Sequence, residues 1–327
     1  MTSVSGLPDQ TSYTAHPLHA DERTWPETNC YVDVWIGVLH SLGLDPTAAL
    51  AFTLGLDFEG DQYTFFKYPH ADLCTLYGIE VQELNVWRGV AVHAAEQAAL
   101  GRFLLPEVDS FYLPDTAGVS YQLDHAKSTI AIAQIDPDRR VARYFHNRGW
   151  HSLSGADFAG VFRVDEHAPE PGVLPPFAEI AKLDRIVRLA PGELADSAIA
   201  LTRAHLDRHP VRNPIAQHRA RIVDDLEWLK NEPLATFHLY AFATVRQAGA
   251  CFALTGTYLR WLESQGEQGL EPAAAAFDML SSTAKTVQFK LARMANLKRE
   301  VDVGPLLDTM ERSWDEGMSR LVDYYSD

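Results

Sequence analysis

Apolar positions recur at helical spacing from Cys30 to Leu42, where Val34, Trp35, Val38, Leu39 and Leu42 share one face. Gly43 follows as a stop, so the pattern predicts a helix over residues 30–42. Further helices are expected around 48–53, near 71–77 and over 90–100. Strand-like apolar runs predict strands at 80–84, 103–108, 129–135, 141–146 and 161–164. Asp136-Pro137-Asp138-Arg139-Arg140 supplies turn chemistry between two of them and predicts a hairpin.

Later in the chain the periodicity becomes almost wholly helical. Stretches rich in Ala, Leu, Arg and Glu predict helices over 191–208, 214–229, 234–264, 272–296 and 305–325. Several carry proline at or just before the start, where a missing N–H costs nothing. No repeat of solenoid length is visible, so a helical bundle is expected. Between the two regimes, His167 to Pro176 holds four prolines and a glycine, a composition that sustains neither helix nor ladder. The expected organisation is a mixed α/β domain over 1–168, a proline-rich linker over 169–176 and a helical domain over 177–327.

A chain of 327 residues with 46% hydrophobic and 22% charged residues belongs with ordinary globular proteins. No window approaches a membrane span. The polar stretch from Met1 to Tyr13 predicts neither a signal peptide nor a basic transit sequence, which makes the cytoplasm the default location. Cys30, Cys74 and Cys251 are odd in number and widely spaced, which argues against a disulfide framework and a metal cluster. His146 and His151 lack companions at ligand spacing, so no metal is expected. The net charge is -16, and the acidity concentrates before Leu174, with 10 Lys+Arg against 23 Asp+Glu. A field of that sign argues against nucleic acid as a partner.

One cysteine changes this picture. Cys30 opens the first predicted helix, where unpaired N–H groups and the helix dipole favour a thiolate. Pro26, Thr28 and Asn29 stand just upstream as starter residues. Among 13 histidines, His125 stands at the start of a strand that can face the helix start, as a base to a thiol nucleophile requires. That chain order is the order of papain-type cysteine enzymes. A third polar group normally orients the imidazole. Asn147 is the first choice, with Asp136 and His146 as alternatives. Cys74 and Cys251 read as buried small hydrophobes, the reading a lone cysteine usually deserves. Trp25, Trp35, Trp87 and Trp150 could line a pocket, although aromatics at such spacing read first as core.

Four segments carry a family likeness: Asn29-Cys30-Tyr31 with Leu39, Leu42 and Gly43; Phe52 to Phe58; Val108 to Pro114; and His125 followed by Ile130 to Asp136. Together they resemble the N-terminal domain of the butirosin biosynthesis protein H family, papain-like proteins related to bacteriocin-processing cysteine peptidases. The whole chain also resembles an uncharacterised bacterial family linked to carrier-protein loci. The resemblance implies an α+β fold, a papain-like cysteine-enzyme domain followed by an all-helical domain. It implies Cys30 as nucleophile and His125 as base. The implied reaction moves an acyl or aminoacyl group from a carrier-protein phosphopantetheine thioester to a small-molecule or peptide amine. No bound cofactor is implied, since phosphopantetheine arrives on its carrier. Asp109 falls on a family position read as a capping carboxylate or an acceptor contact. Asn29 and Thr28 are candidate oxyanion donors beside the Cys30 backbone N–H. The third position departs from the family, because His146 precedes Asn147 and the hairpin is longer than usual.

In the helical half, Lys285, Lys290, Arg293, Lys298 and Arg299 form a basic run without Asp or Glu among them. It suits an acidic carrier protein, and reads equally as a solvated helix face. Phe289, Leu291, Met294 and Leu297 read as core. The rivals to acyl transfer are hydrolysis by the same dyad, as a peptidase or thioesterase, and a catalytically inactive carrier-binding protein. The oligomeric state, a homodimer included, is left open.

Overall fold

The computed structural model describes residues 1–5, 7, 12–170 and 172–326. The chain divides into two compact units. One comprises Met1–Ala20, Asn29–Pro46 and Pro69–Arg188; the other comprises Asp21–Thr28, Thr47–Tyr68 and Leu189–Asp327.

The first unit is a mixed α and β structure. Its strands are β1 (Thr2–Ser3), β2 (Glu80–Glu83), β3 (Phe103–Asp109), β4 (Lys127–Thr129), β5 (Ala131–Asp136), β6 (Val141–His146), β7 (Gly149–Ser154) and β8 (Ala178–Lys182). Its helices are α1 (Cys30–Ser41), α2 (His70–Tyr77), α3 (Val90–Ala99) and α4 (Gly155–Phe162). The strands run in the order β2-β8-β3-β5-β6-β7, with β1 added to β5 and β4 to β3. All these pairings are antiparallel.

Helix α1 lies against one face of this sheet. The Tyr31 hydroxyl donates to Glu179 on β8 at 2.8 Å. A Cβ at Gly37 would sit 3.2 Å from the Phe145 ring on β6, so glycine permits the close approach. Side chains alternate along a strand, and residues directly opposite one another share a face. Glu179 opposes Leu105, and the Phe145 ring lies 6.2 Å from that of Phe103. The row Phe103, Leu105, Glu107, Asp109 therefore faces α1. The other row, Leu104 and Val108, joins Ile130, Ile132 and Tyr144 in a core closed by Val90 and Ala94 of α3 and Phe158 and Phe162 of α4. Helices thus cover both faces, which is why the interior strands read as near-continuous apolar runs.

The second unit contains α5 (Pro191–Leu206), α6 (Pro214–Asn231), α7 (Leu234–Ala243), α8 (Val245–Ser264), α9 (Glu271–Leu297) and α10 (Gly304–Ser326). No helix of the described residues is long and apolar enough to cross a membrane.

Several expectations change. Residues 161–164 belong to the end of α4 and the chain just after it, not to a strand, because Phe158 and Phe162 pack one helical turn apart. Residues 46–55 form a 3-10 stretch kinked at Ala49 in place of a helix. The span 234–264 breaks at Thr244, where φ is -119 and ψ -102. The Thr244 Oγ1 and backbone N–H both donate to the Tyr240 carbonyl there. The expected strand at 129–135 is split between β4 and β5.

The domain boundaries also differ. β8 lies beyond the proline-rich stretch, yet it fills the slot between β2 and β3 in the sheet. The proline-rich segment is therefore a connection within the first unit, with Pro171 outside the described residues. The helical unit starts near 189 and includes two segments from the first 70 residues.

Candidate active site

Cys30 is the first residue of α1, and Asn29 is its N-cap with extended φ -137 and ψ 156. The Asn29 side-chain oxygen accepts the Val32 N–H at 3.0 Å. That bond satisfies one of the donors a helix start leaves open and fixes the turn that carries the cysteine. Cys30 is partly exposed as a residue. Among the described residues no hydrogen bond involves its thiol.

The His125 Nδ1 lies 2.5 Å from Asp109 Oδ2. The other Asp109 oxygen accepts the Phe111 N–H at 3.0 Å and caps the 3-10 turn Ser110–Tyr112. The His125 ring stacks on Phe111, with centroids 4.3 Å apart and planes 10° from parallel. A carboxylate can only accept, so Nδ1 carries the hydrogen and Nε2 is left as the basic nitrogen. The imidazole is 66% exposed and borders a cleft of about 280 Å³ with Glu107, Asp109, Lys127 and Arg163. Cys30 does not line that cleft. The two are related through the sheet: Asp109 ends the row that faces α1, and α1 packs on β4, the strand that His125 leads into.

None of the three residues expected to orient His125 does so. Asn147 sits at φ 47, in the tight turn that joins β6 to β7 opposite the Gly149 pairing. Asparagine tolerates that left-handed conformation better than most residues. Asp136 binds the Met1 amino group at 3.2 Å and accepts the Arg139 N–H at 3.0 Å. His146 points to the sheet face opposite α1. Its Nε2 is 2.6 Å from Ser128 Oγ, and its Nδ1 is 2.5 Å from Asp115 Oδ2. The Tyr144 hydroxyl donates to the other Asp115 oxygen. Burial pushes the Asp115 carboxyl up, but the His146 hydrogen bond and nearby histidine charge outweigh it and hold it below its ordinary value. This chain is a serine–histidine–carboxylate relay sealed in the core: Ser128 is 7% exposed and His146 1%.

Residues 14–183 match the DUF1839 N-terminal domain, and residues 192–323 match the DUF1839 C-terminal domain. The chain belongs to the DUF1839 family. The gap between the two matches brackets the passage from the sheet unit to the helical unit at Arg188 and Leu189. No curated protein matches the chain.

The DUF1839 N-terminal domain here holds a further histidine–carboxylate pair that the sequence pattern did not reveal. His70 Nε2 lies 3.2 Å from Glu179 and 3.0 Å from the hydroxyl of Tyr31, the residue after Cys30. Glu179 is only 4% exposed. The available signal is a lone glutamate within the apolar run of 178–181, masked by the proline-rich stretch that separates this run from the other strands. The Asn29 side-chain oxygen is spent on the cap, where it accepts the Val32 N–H. Thr28 is buried and belongs to the second unit.

In the C-terminal domain the basic run is partly occupied. The Lys285 Nζ lies 4.0 Å from the centroid of the Trp25 ring, and burial lowers its pKa. Lys290 Nζ donates to the Asp302 carbonyl and Lys298 Nζ to the Glu232 carbonyl. Arg293 is exposed. Leu291 and Met294 are core as expected, whereas Phe289 and Leu297 are exposed. Among the described residues, no group of three or more His, Cys, Asp or Glu is arranged to hold a metal ion.

Proposed function

We propose that the N-terminal unit is a papain-like acyltransferase that uses Cys30 as its nucleophile. The donor is an acyl or aminoacyl thioester on carrier-protein phosphopantetheine, and the acceptor is an amine. His125 Nε2 takes the Cys30 proton, and the thiolate attacks the thioester carbonyl. The C–S bond to pantetheine breaks, and the pantetheine thiol leaves with the proton from His125. Asp109, not Asn147, holds the imidazole in the tautomer this needs. The Cys30 backbone N–H faces the developing oxyanion. Exposed Arg293, with its basic neighbours, offers a cationic surface to an acidic carrier.

The observation that carries this reading is the combination of a capped helix start at Cys30, on a helix that packs on β4, with a carboxylate-held imidazole just before that strand. The test is intact mass after incubation with an acyl-loaded carrier protein. An added acyl mass on Cys30, lost in Cys30→Ala together with product, is expected. Transfer that survives Cys30→Ala overturns the mechanism.

The 66% exposure of His125 favours a second reading, hydrolysis, because water reaches the base freely. Product analysis separates the two: free acid in the presence of excess amine marks a thioesterase or peptidase, and amide marks a transferase.

A further inference from the structure

We propose, resting on the transfer reading above, that the amine acceptor is an apolar α-amino acid whose side chain fills a pocket next to His125. A second cavity of about 280 Å³ in the first unit is walled by Trp87, Val90, Val161, Phe162, Val173 and Leu174. It shares Glu107, Val108, Arg163 and Pro176 with the cleft that His125 and Asp109 border, so the two spaces adjoin. Its volume suits a single side chain and not a long lipid. Trp87 is 73% exposed and Leu174 81%, an apolar surface that an inserted side chain would cover.

The charges around the shared wall complete the match. Arg163 follows α4 at φ 51, and among the described residues no hydrogen bond or ion pair reaches its guanidinium. Its acidic neighbours are engaged elsewhere: Glu107 with Lys127, and Asp165 with Arg140. Arg88, also on the wall, is paired with Glu96. Arg163 is therefore an unbalanced cation between an apolar pocket and a cleft that holds the Asp109 carboxylate. An α-amino acid presents an apolar side chain, a carboxylate and an ammonium within one small molecule, and each has a counterpart here. With the carboxylate on Arg163, the amine lies toward His125. After the ammonium gives one proton to solvent, the neutral amine attacks the Cys30 thioester, the C–N bond forms, and the C–S bond breaks. The amine's proton passes through His125 to the released Cys30 thiolate.

Calorimetric titration of full-length Cys30→Ala protein tests this without any turnover. The probes are L-phenylalanine, glycine, hydrocinnamate, which lacks the amine, and phenethylamine, which lacks the carboxylate. Phenylalanine should bind saturably and at least about tenfold tighter than glycine. Arg163→Gln should weaken phenylalanine and hydrocinnamate about tenfold and leave phenethylamine unchanged. Leu174→Ser, at the exposed rim, should weaken phenylalanine and phenethylamine alike. Phenylalanine binding no tighter than glycine, or insensitive to Arg163→Gln, overturns the proposal. If Cys30 acylates yet glycine resolves the adduct as fast as phenylalanine, the acceptor assignment falls and the transfer reading stands. Phenylalanine binding with these preferences to a protein whose Cys30 never acylates keeps the ligand class and sinks the transfer reading.

Discussion

His125 Nδ1 and Asp109 Oδ2 stand 2.5 Å apart, across 16 residues of sequence. The loop between them leaves β3 through the 3-10 turn capped by the other Asp109 oxygen and returns at β4. One carboxylate thus shapes the turn and fixes the imidazole. Asp109→Asn can still accept the Phe111 N–H through its carbonyl, so the fold should hold. The amide loses the charge that stabilises an imidazolium, and it can present an N–H to His125 Nδ1. We expect acylation of Cys30 to slow by about 10²–10⁴-fold, with the thermal midpoint nearly unchanged. An unchanged rate would make Asp109 a cap and nothing more.

The fold could be read from sequence where one physical signal acted alone. The 30–42 periodicity gave α1 to within a residue, and the Asp136 to Arg140 turn marked the β5–β6 hairpin. Strands β7 and β8 carry weak local signals, for separate reasons. β7 begins with glycine and alternates weakly at a sheet edge. β8 follows a proline run and places Glu179 inside, so its polarity mimics a surface residue. Its place between β2 and β3 comes from long-range pairing that no local window contains. Likewise Cys30 and His125 stood out by position, but the partner of His125 did not. Asn147 would orient the ring only if the strand after His125 supplied its partner. In the structure β6 ends with His146 turned to the far face, and Asp109 comes from the strand before.

Asn29→Ala removes the side-chain acceptor for the Val32 N–H at the start of α1. Loss of such a cap costs about 1 kcal/mol, with a range of roughly 0.5–2. The same loss loosens the turn that presents Cys30. Urea denaturation should show the lower stability, and alkylation of Cys30 by iodoacetamide at pH 7 should slow in parallel. Asn29→Ser, which restores a cap acceptor, should recover both.

The Ser128–His146–Asp115 chain has the connectivity of a hydrolase relay but lies in the core, on the face away from α1. We expect it to be structural. Asp115→Asn should cost about 1–3 kcal/mol by weakening charge-assisted bonds to His146 and Tyr144, and leave the Cys30 alkylation rate unchanged. The pH dependence follows from the lowered Asp115 pKa. A carboxyl whose folded pKa lies below its unfolded value stabilises above the unfolded value, and the gain is lost as pH falls through the folded one. Wild-type stability should therefore decline below about pH 4, its ordinary range, more steeply than that of Asp115→Asn. A Cys30 alkylation rate that falls with Asp115→Asn would assign this network to the site.

His218 gives the helical unit its own acid sensitivity. It is wholly buried on α6, stacked on Phe58 with centroids 5.2 Å apart, and its Nδ1 lies 3.2 Å from the Tyr63 hydroxyl. Among the described residues its Nε2 has no hydrogen-bond partner. Burial disfavours the imidazolium and pushes the pKa from 6.5 down to about 3. The unfolded chain therefore binds a proton between those values while the folded one does not. Its stabilising contribution is complete above the unfolded pKa and is lost as pH falls toward the folded one. The slope approaches about 1.4 kcal/mol per pH unit, or about 2 kcal/mol lost by pH 5. His218→Phe removes the titration and should flatten the difference in urea midpoint between pH 7 and pH 5, whatever it does to the absolute value. Equal slopes for wild type and variant would mean that this imidazole accepts its proton in the folded state.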